Sequence, residues 1–438
     1  SGVYVGKRAA DAVLREDILA ISPLLRLSSI RMRTQRSSVS ASAGLGSERI
    51  AVHREGLGCT LLGPDAAEPS APAPGAIGER VAAPTGFADA GSAAATASSD
   101  RDRSDGRIDG SATDRNPAGF DRAALERALD ADFESSGGTT RAIVVVHAGS
   151  IVAERYAAGF GPDTPLHGWS MAKSVLSLLV HKRLAERRMP LSTPVVDAMR
   201  RDPAPAWVGA WRSDGRAAIT IGHLLTMRDG LAHDEGYAAW GPVPHMLLYE
   251  PDTAAWAAAA PLAAPPGERF RYSSAVSNIL SRVLRDLFDD DAQYWAYPRE
   301  SLFSPIGADS AVLEADASGT FIASSYLWAS ARDWARIGQL MLQDGRWGER
   351  QVVPRGWLAQ ATRSTAAPYG AHVWLAAEHP IGCSGRLAAG AFLMRGFAGQ
   401  LAAIVPAAEL VVVRLGWTLQ PTSWDGCELI GRVAGALA

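Results

Sequence analysis

A chain of 438 residues, 47% hydrophobic and 20% charged, can bury a substantial core and has the composition of a soluble globular protein. Its net charge of −3, with no long basic run, argues against nucleic acid or an anionic membrane surface as a partner. No apolar run approaches the roughly 20 residues of a membrane span, and Cys59, Cys383 and Cys427 lack the paired spacing of zinc or iron–sulfur ligands, so neither a metal nor a cofactor is expected.

Residues 1–63 read as an N-terminal accessory segment, with helical spacing in DAVLREDILAISPLL and a strand and turn in IAVHREGLGCTLLG. The start at Ser1, without an initiator methionine, leaves a processed leader and a trimmed start both open. Compartment stays unassigned, with an extracytoplasmic one favoured over the cytoplasm. Residues 64–117 shift to Ala, Pro, Gly, Ser and Asp, a composition that buries little apolar surface and reads as a linker or surface loop. From 118 to 438 the sequence reads as one domain with a mainly helical insertion at about 195–320. FDRAALERALDADFESS has helical spacing with Asp121 as its cap, and TTRAIVVVHAGSIVAERY is a hairpin turning at HAGS. A helix starts at Ser170 and runs to about Arg188, stopped by Pro190. Pro265, Pro266 and Gly267 precede a loop leading into a helix over Ala275 to Asp289. SARDWARIGQLMLQDGRW is a helix closed by Gly345, GQLAAIVPAAELVVVRLG a second hairpin, and SWDGCELIGRVAGAL a terminal helix. Hairpins near both ends with helices between them predict an α+β fold, its antiparallel sheet built from the two ends of the domain. Whether Cys383 pairs with Cys427 is not legible, nor is oligomeric state.

Three lysines among 43 basic residues make the position of one of them informative: Lys173 follows Ser170 by three residues in GWSMAKSVLSLLV. That spacing puts hydroxyl and amine on one helix face. A buried lysine near a helix N-terminus can be neutral and serve as the base for a serine nucleophile. The plainer role is an amphipathic helix with Lys173 reaching solvent. Tyr272, with Ser274 two positions on in GERFRYSSAVSNIL, supplies a phenol that can pass a proton if a neighbouring cation holds its pKa down, or a capping turn with a core tyrosine. Gly396 and Gly399 in RGFAGQLAAIVP let a substrate approach a strand whose N–H groups would complete an oxyanion hole, or mark only a glycine-rich loop before an edge strand.

WSMAKS, a Tyr-x-Ser and a glycine-rich strand start, in this order, resemble the serine hydrolases of the class C β-lactamase and penicillin-binding superfamily. ITIGHLLTMRDGL, PPGERFRYSSAVSNIL and RDWARIGQLMLQDGRWGERQVVPRGW resemble the branch of 6-aminohexanoate-dimer (nylon-oligomer) hydrolases and carboxylesterases. The resemblance, over about 120–438, implies a β-lactamase/transpeptidase-like fold and cleavage of a small-molecule ester or amide through an acyl-enzyme. It implies Ser170 as nucleophile, Lys173 as base, Tyr272 as proton shuttle and Ser274 as support, with the N–H groups of Ser170 and Phe397 holding the oxyanion. The sequence departs from β-lactamases in having no Lys-Thr-Gly on the strand beside the site. Met394-Arg395-Gly396 takes that place, and Ser274 stands where β-lactamases have asparagine. Anionic β-lactams are therefore doubtful substrates unless Arg395 points inward. Tyr237, in HDEGY, and Gly396 are further substrate-contact candidates, although a solvated loop is the plainer reading of HDEGY. His167 reads as a structural or solvated group, and Trp169 either packs beneath the helix or lines the pocket, core packing being the plainer reading.

Two rival readings remain. Gly168 to Ala172 resembles the nucleophile elbow of an α/β-hydrolase, with His372 or His379 as a late histidine, but GPDTPLHG is a poor strand to precede it. A non-catalytic ligand-binding module on the same fold is the other.

Overall fold

The computed structural model describes residues 1–19, 30–34, 38–43, 49–62, 120–238, 240–365, 368–376, 383, 387–419 and 424–437. The expected linker at 64–117 lies outside them.

The second half of the chain returns to pair with hairpin Thr140–His147 and Ser150–Tyr156. A six-stranded antiparallel sheet results, in the order Trp374–Leu375, Phe392–Gly396, Gln400–Val405, Leu410–Gly416, Thr140–His147, Ser150–Tyr156. Period-two alternation divides each central strand between two cores. Val144, Val146, Ala402, Ile404, Val411 and Val413 face one, and Ile143, Val145, Leu401, Ala403, Leu410 and Val412 face the other. Each buried valine or leucine contributes about 1.5–3 kcal/mol.

Helix Ala331–Leu342 covers the first face. A Cβ on Gly338 would lie 2.7 Å from Val411, so only glycine lets helix and sheet approach this closely. Helices Arg122–Ser135 and Gly426–Ala434 cover the second, the former capped by Asp121, which accepts from the Ala124 N–H at 3.0 Å. A Cys383–Cys427 disulfide ties the terminal helix down, and Cys59 is free and buried. Between 195 and 320 the chain is mostly short helices, with the long helix Ser274–Asp286 packed beside Ala172–Glu186. No described helix is long and apolar enough to cross a membrane. The fold is the expected α+β arrangement.

The short N-terminal helix is present as Ala10–Val13, continued as a π turn to Ile18; residues 20–25 of the expected stretch lie outside the described residues. Strands Ile30–Thr34, Ser38–Ala43, Arg49–Arg54 and Gly58–Leu61 form a separate antiparallel sheet. It docks through the Cys59 N–H, which donates to Glu314 Oε1 at 2.6 Å, and Thr60 Oγ1, which donates to the Ala315 carbonyl at 2.8 Å.

Candidate active site

The serine–lysine α-helix begins two residues after its expected start at Ser170. Trp169–Met171 form a 3-10 turn with Trp169 at φ 49°, and the α-helix runs from Ala172 to Glu186. A left-handed conformation at a tryptophan costs about 1–2 kcal/mol and sets Ser170 on a sharp turn. Lys173, one turn on, is 1% exposed. Its Nζ lies 2.9 Å from Ser170 Oγ, 3.0 Å from Ser274 Oγ and 2.7 Å from the Ser324 carbonyl. Asn278 fixes that carbonyl's residue by accepting from the Ser324 N–H at 3.2 Å. A neutral amine has two N–H groups and one lone pair. Donating to Ser274 and Ser324 leaves the lone pair for the Ser170 proton. Burial lowers the lysine from 10.5 to about 8, against the opposing pull of the Glu235 carboxylate.

Tyr272 lies on the loop before helix Ser274–Asp286, near enough to Ser170 for that side chain to lower its pKa. Its ring stacks on Trp374 at 5.1 Å and meets Tyr369 edge-on at 5.6 Å. The Lys173 ammonium position is 5.1 Å from the ring centroid. The expectation of a phenol held down by a cation is corrected. Burial, then Glu235, pushes Tyr272 well above its ordinary value, and the Ser170 side chain and the Arg395 charge only partly offset this. Tyr272 is a neutral acid at rest.

Glu235 is the residue that sequence reasoning missed. It accepts from the Ser274 N–H at 2.7 Å, and its Oε1 accepts from Ser274 Oγ at 2.5 Å and from the Tyr237 hydroxyl at 2.6 Å. The hydroxyl of Ser274 thus accepts from Lys173 and donates to Glu235, which fixes its orientation. The one available signal was a charged HDEGY loop with no helical or strand period.

Gly396 lies against the turn that carries Ser170, where an added Cβ would stand 2.2 Å from the Gly168 carbonyl. Beyond it Phe397–Gly399 turn tightly, with Ala398 at φ 58° and Gly399 at φ 79°. Gln400 holds this turn: its Nε2 donates to the carbonyls of Phe397 and Ala398 at 3.0 and 3.1 Å. Arg414 donates to the Gly399 carbonyl at 3.0 Å. Both are polar residues inside otherwise apolar buried strands, which was their signal. Gly396→Ala should force the strand from the turn and cost about 10²-fold in kcat/KM, the effect of one lost oxyanion donor. Steady-state kinetics beside a thermal melt checks this.

Around these groups the walls are aromatic. Phe397 meets Trp169 edge-on at 5.4 Å and stacks on Tyr237 at 5.8 Å, and both Phe397 and Tyr237 are exposed. Of the two readings of Trp169, the pocket-lining one fits its half-buried ring against Phe397, and Tyr237 stands beside the same ring. Arg395 is half-buried, and its charge reaches Tyr272 and Asp425.

Neither described histidine near the site is placed as a base. His167 Nε2 bonds to the Ser325 carbonyl at 2.9 Å, and burial lowers its pKa to about 3. The His372 ring bonds to the Leu225 carbonyl at 2.7 Å and to Ser277 Oγ at 3.0 Å, and burial likewise lowers it to about 3. His379 lies outside the described residues. Among the described residues, no three His, Cys, Asp or Glu side chains gather as a metal site.

Residues 123–426 match the beta-lactamase family. A 6-aminohexanoate-dimer hydrolase of Paenarthrobacter ureafaciens is 25% identical over 233 residues, 50% of this chain and 56% of the relative, so the chain spans just over half that protein's length. A Bacillus anthracis protein described as a 6-aminohexanoate-dimer hydrolase superposes with a TM-score of 0.56 at 22% identity, over 71% of this chain and 80% of that one. A family VIII carboxylesterase superposes with a TM-score of 0.55 at 15% identity, over 72% and 96%. These structural likenesses carry the fold; the family match, over more than half of the sequence, carries the assignment: the chain belongs to the beta-lactamase family.

Proposed function

We propose that the chain is a serine hydrolase that cleaves an ester or amide through an acyl-enzyme. The carrying observation is the buried Lys173 amine, 2.9 Å from Ser170 Oγ with its remaining bonds directed to Ser274 and Ser324. Lys173 takes the Ser170 proton as Oγ attacks the carbonyl. The N–H groups of Ser170 and Phe397 hold the oxyanion, and Tyr272, a neutral phenol, protonates the leaving group and is refilled from the lysine ammonium. Water then hydrolyses the acyl-enzyme by the reverse transfers. The relatives' names favour esters and linear amides, and the missing Lys-Thr-Gly disfavours β-lactams. In a panel of p-nitrophenyl esters, aminohexanoate oligomers and nitrocefin, the wild type should turn over members of the first two classes and leave nitrocefin intact. Equal turnover by Ser170→Ala would sink the proposal.

A lysine base fixes the pH dependence. The reactive form is the free amine, so kcat/KM should climb with pH through about 8 and level off above. The Glu235 charge favours the ammonium, so Glu235→Gln should move this limb to lower pH. A limb near the ordinary histidine value that ignores Glu235→Gln contradicts a lysine base.

A further inference from the structure

The two helices that carry Lys173 and Ser274 are tied together by one buried residue that has no part in the proposed chemistry. His372, at φ 60°, sits in the tight turn between Tyr369 and Trp374. Its carbonyl accepts from Ser174 Oγ at 2.6 Å, beside Lys173 on helix Ala172–Glu186. Its ring Nε2 lies 3.0 Å from Ser277 Oγ, one turn beyond Ser274 on helix Ser274–Asp286. Its N–H and Nδ1 both reach the Leu225 carbonyl, at 3.1 and 2.7 Å, on helix Ile221–Leu225. The rings of Tyr369 and Trp374, at the ends of the same turn, flank Tyr272. One short turn thus touches every element that supplies Lys173, Ser274 or Tyr272.

The partners fix the tautomer. A carbonyl only accepts, so Nδ1 carries the hydrogen, and burial keeps the ring neutral, so Nε2 offers a lone pair to the Ser277 hydroxyl. Histidine also belongs to the few residues besides glycine that enter the left-handed region readily. Lys173 must stay 2.9 Å from Ser170 and 3.0 Å from Ser274, and these serines lie on different helices. Apolar contacts between helices are non-directional and tolerate a slide of one past the other. Hydrogen bonds weaken steeply with distance and angle, and buried ones are costly to break. The bonds of His372 to Ser174 and Ser277 are of that second kind, each within one turn of a catalytic group.

We propose that His372 is a positioning residue that locks the register of these two helices and so holds Lys173 at bonding distance from both serines. The inference rests on the hydrolase reading. His372→Asn keeps an amide for the Leu225 carbonyl and accepts the left-handed backbone, but is too short for Ser277. Ser277→Ala removes the same bond from the other side. Each should lower kcat about tenfold or more with KM within about twofold, since ångström misplacements of a reacting pair cost up to about 10²-fold. Fluorophosphonate labelling of Ser170 should slow by the same factor, and the double variant should be no worse than either single one. Burial is what holds Lys173 down, so a loosened lysine should move the pH limb of labelling above the wild-type value of about 8. Folded variants that label and titrate as the wild type does overturn the positioning role. Additive losses in the double variant overturn it too, and so does failure of both single variants to fold, which would assign the bond to stability alone. A wild type that takes no label at Ser170 overturns the hydrolase reading instead.

Discussion

Lys173→Ala is expected to lower kcat/KM by about 10⁴-fold or more, and Ser170→Ala by as much. The two act as one unit: without the amine the serine proton has no acceptor, and without the hydroxyl the amine has nothing to activate. The double variant should therefore be no worse than either single one, because both remove the same attack. Alanine at 173 also strips Ser274 Oγ and the Ser324 carbonyl of a buried partner, which costs about 1–3 kcal/mol of stability. Lys173→Met keeps the length of the side chain without the amine, and separates the chemical loss from any folding defect. Equal inactivity in both variants with folded protein by circular dichroism is the expected outcome. Retained activity in Lys173→Met would exclude lysine as the base.

Tyr272→Phe should lower kcat/KM by about 10²-fold or more. The ring keeps its stacking on Trp374 and its edge contact with Tyr369, so little packing is lost. What disappears is the hydroxyl that would protonate the leaving group. The loss should accordingly depend on the leaving group: large for an alkoxide or amine, small for p-nitrophenolate, which departs without a proton. An identical loss on both kinds of ester would assign the hydroxyl to positioning Ser170 rather than to proton transfer.

How legible the site was follows from sequence distance. Ser170 and Lys173 are one helical turn apart, so local geometry alone predicted their meeting, and they lie 2.9 Å apart. The two hairpins were legible because strand alternation and turn residues are local signals, and their division between two cores follows from the same alternation. Tyr272 and Ser274 are about a hundred residues away and came from motif order, not from physics. Glu235 escaped because a loop glutamate has no period, and its contact with Ser274 exists only once the helical layer is assembled. The anchoring of the Phe397 turn by Gln400 and Arg414 needed the register of three strands. The direction of the Tyr272 shift was misjudged since burial is a tertiary property, and here it outweighs the neighbouring cation.

The central claim, that Ser170 is a nucleophile armed by Lys173, is tested most directly by intact-mass measurement after exposure to a fluorophosphonate. The wild type should gain a single adduct, mapping to the peptide that holds Ser170, and Ser170→Ala should gain none. Lys173→Met should label far more slowly. An adduct on a different residue, or equal labelling of the wild type and Ser170→Ala, would contradict the account.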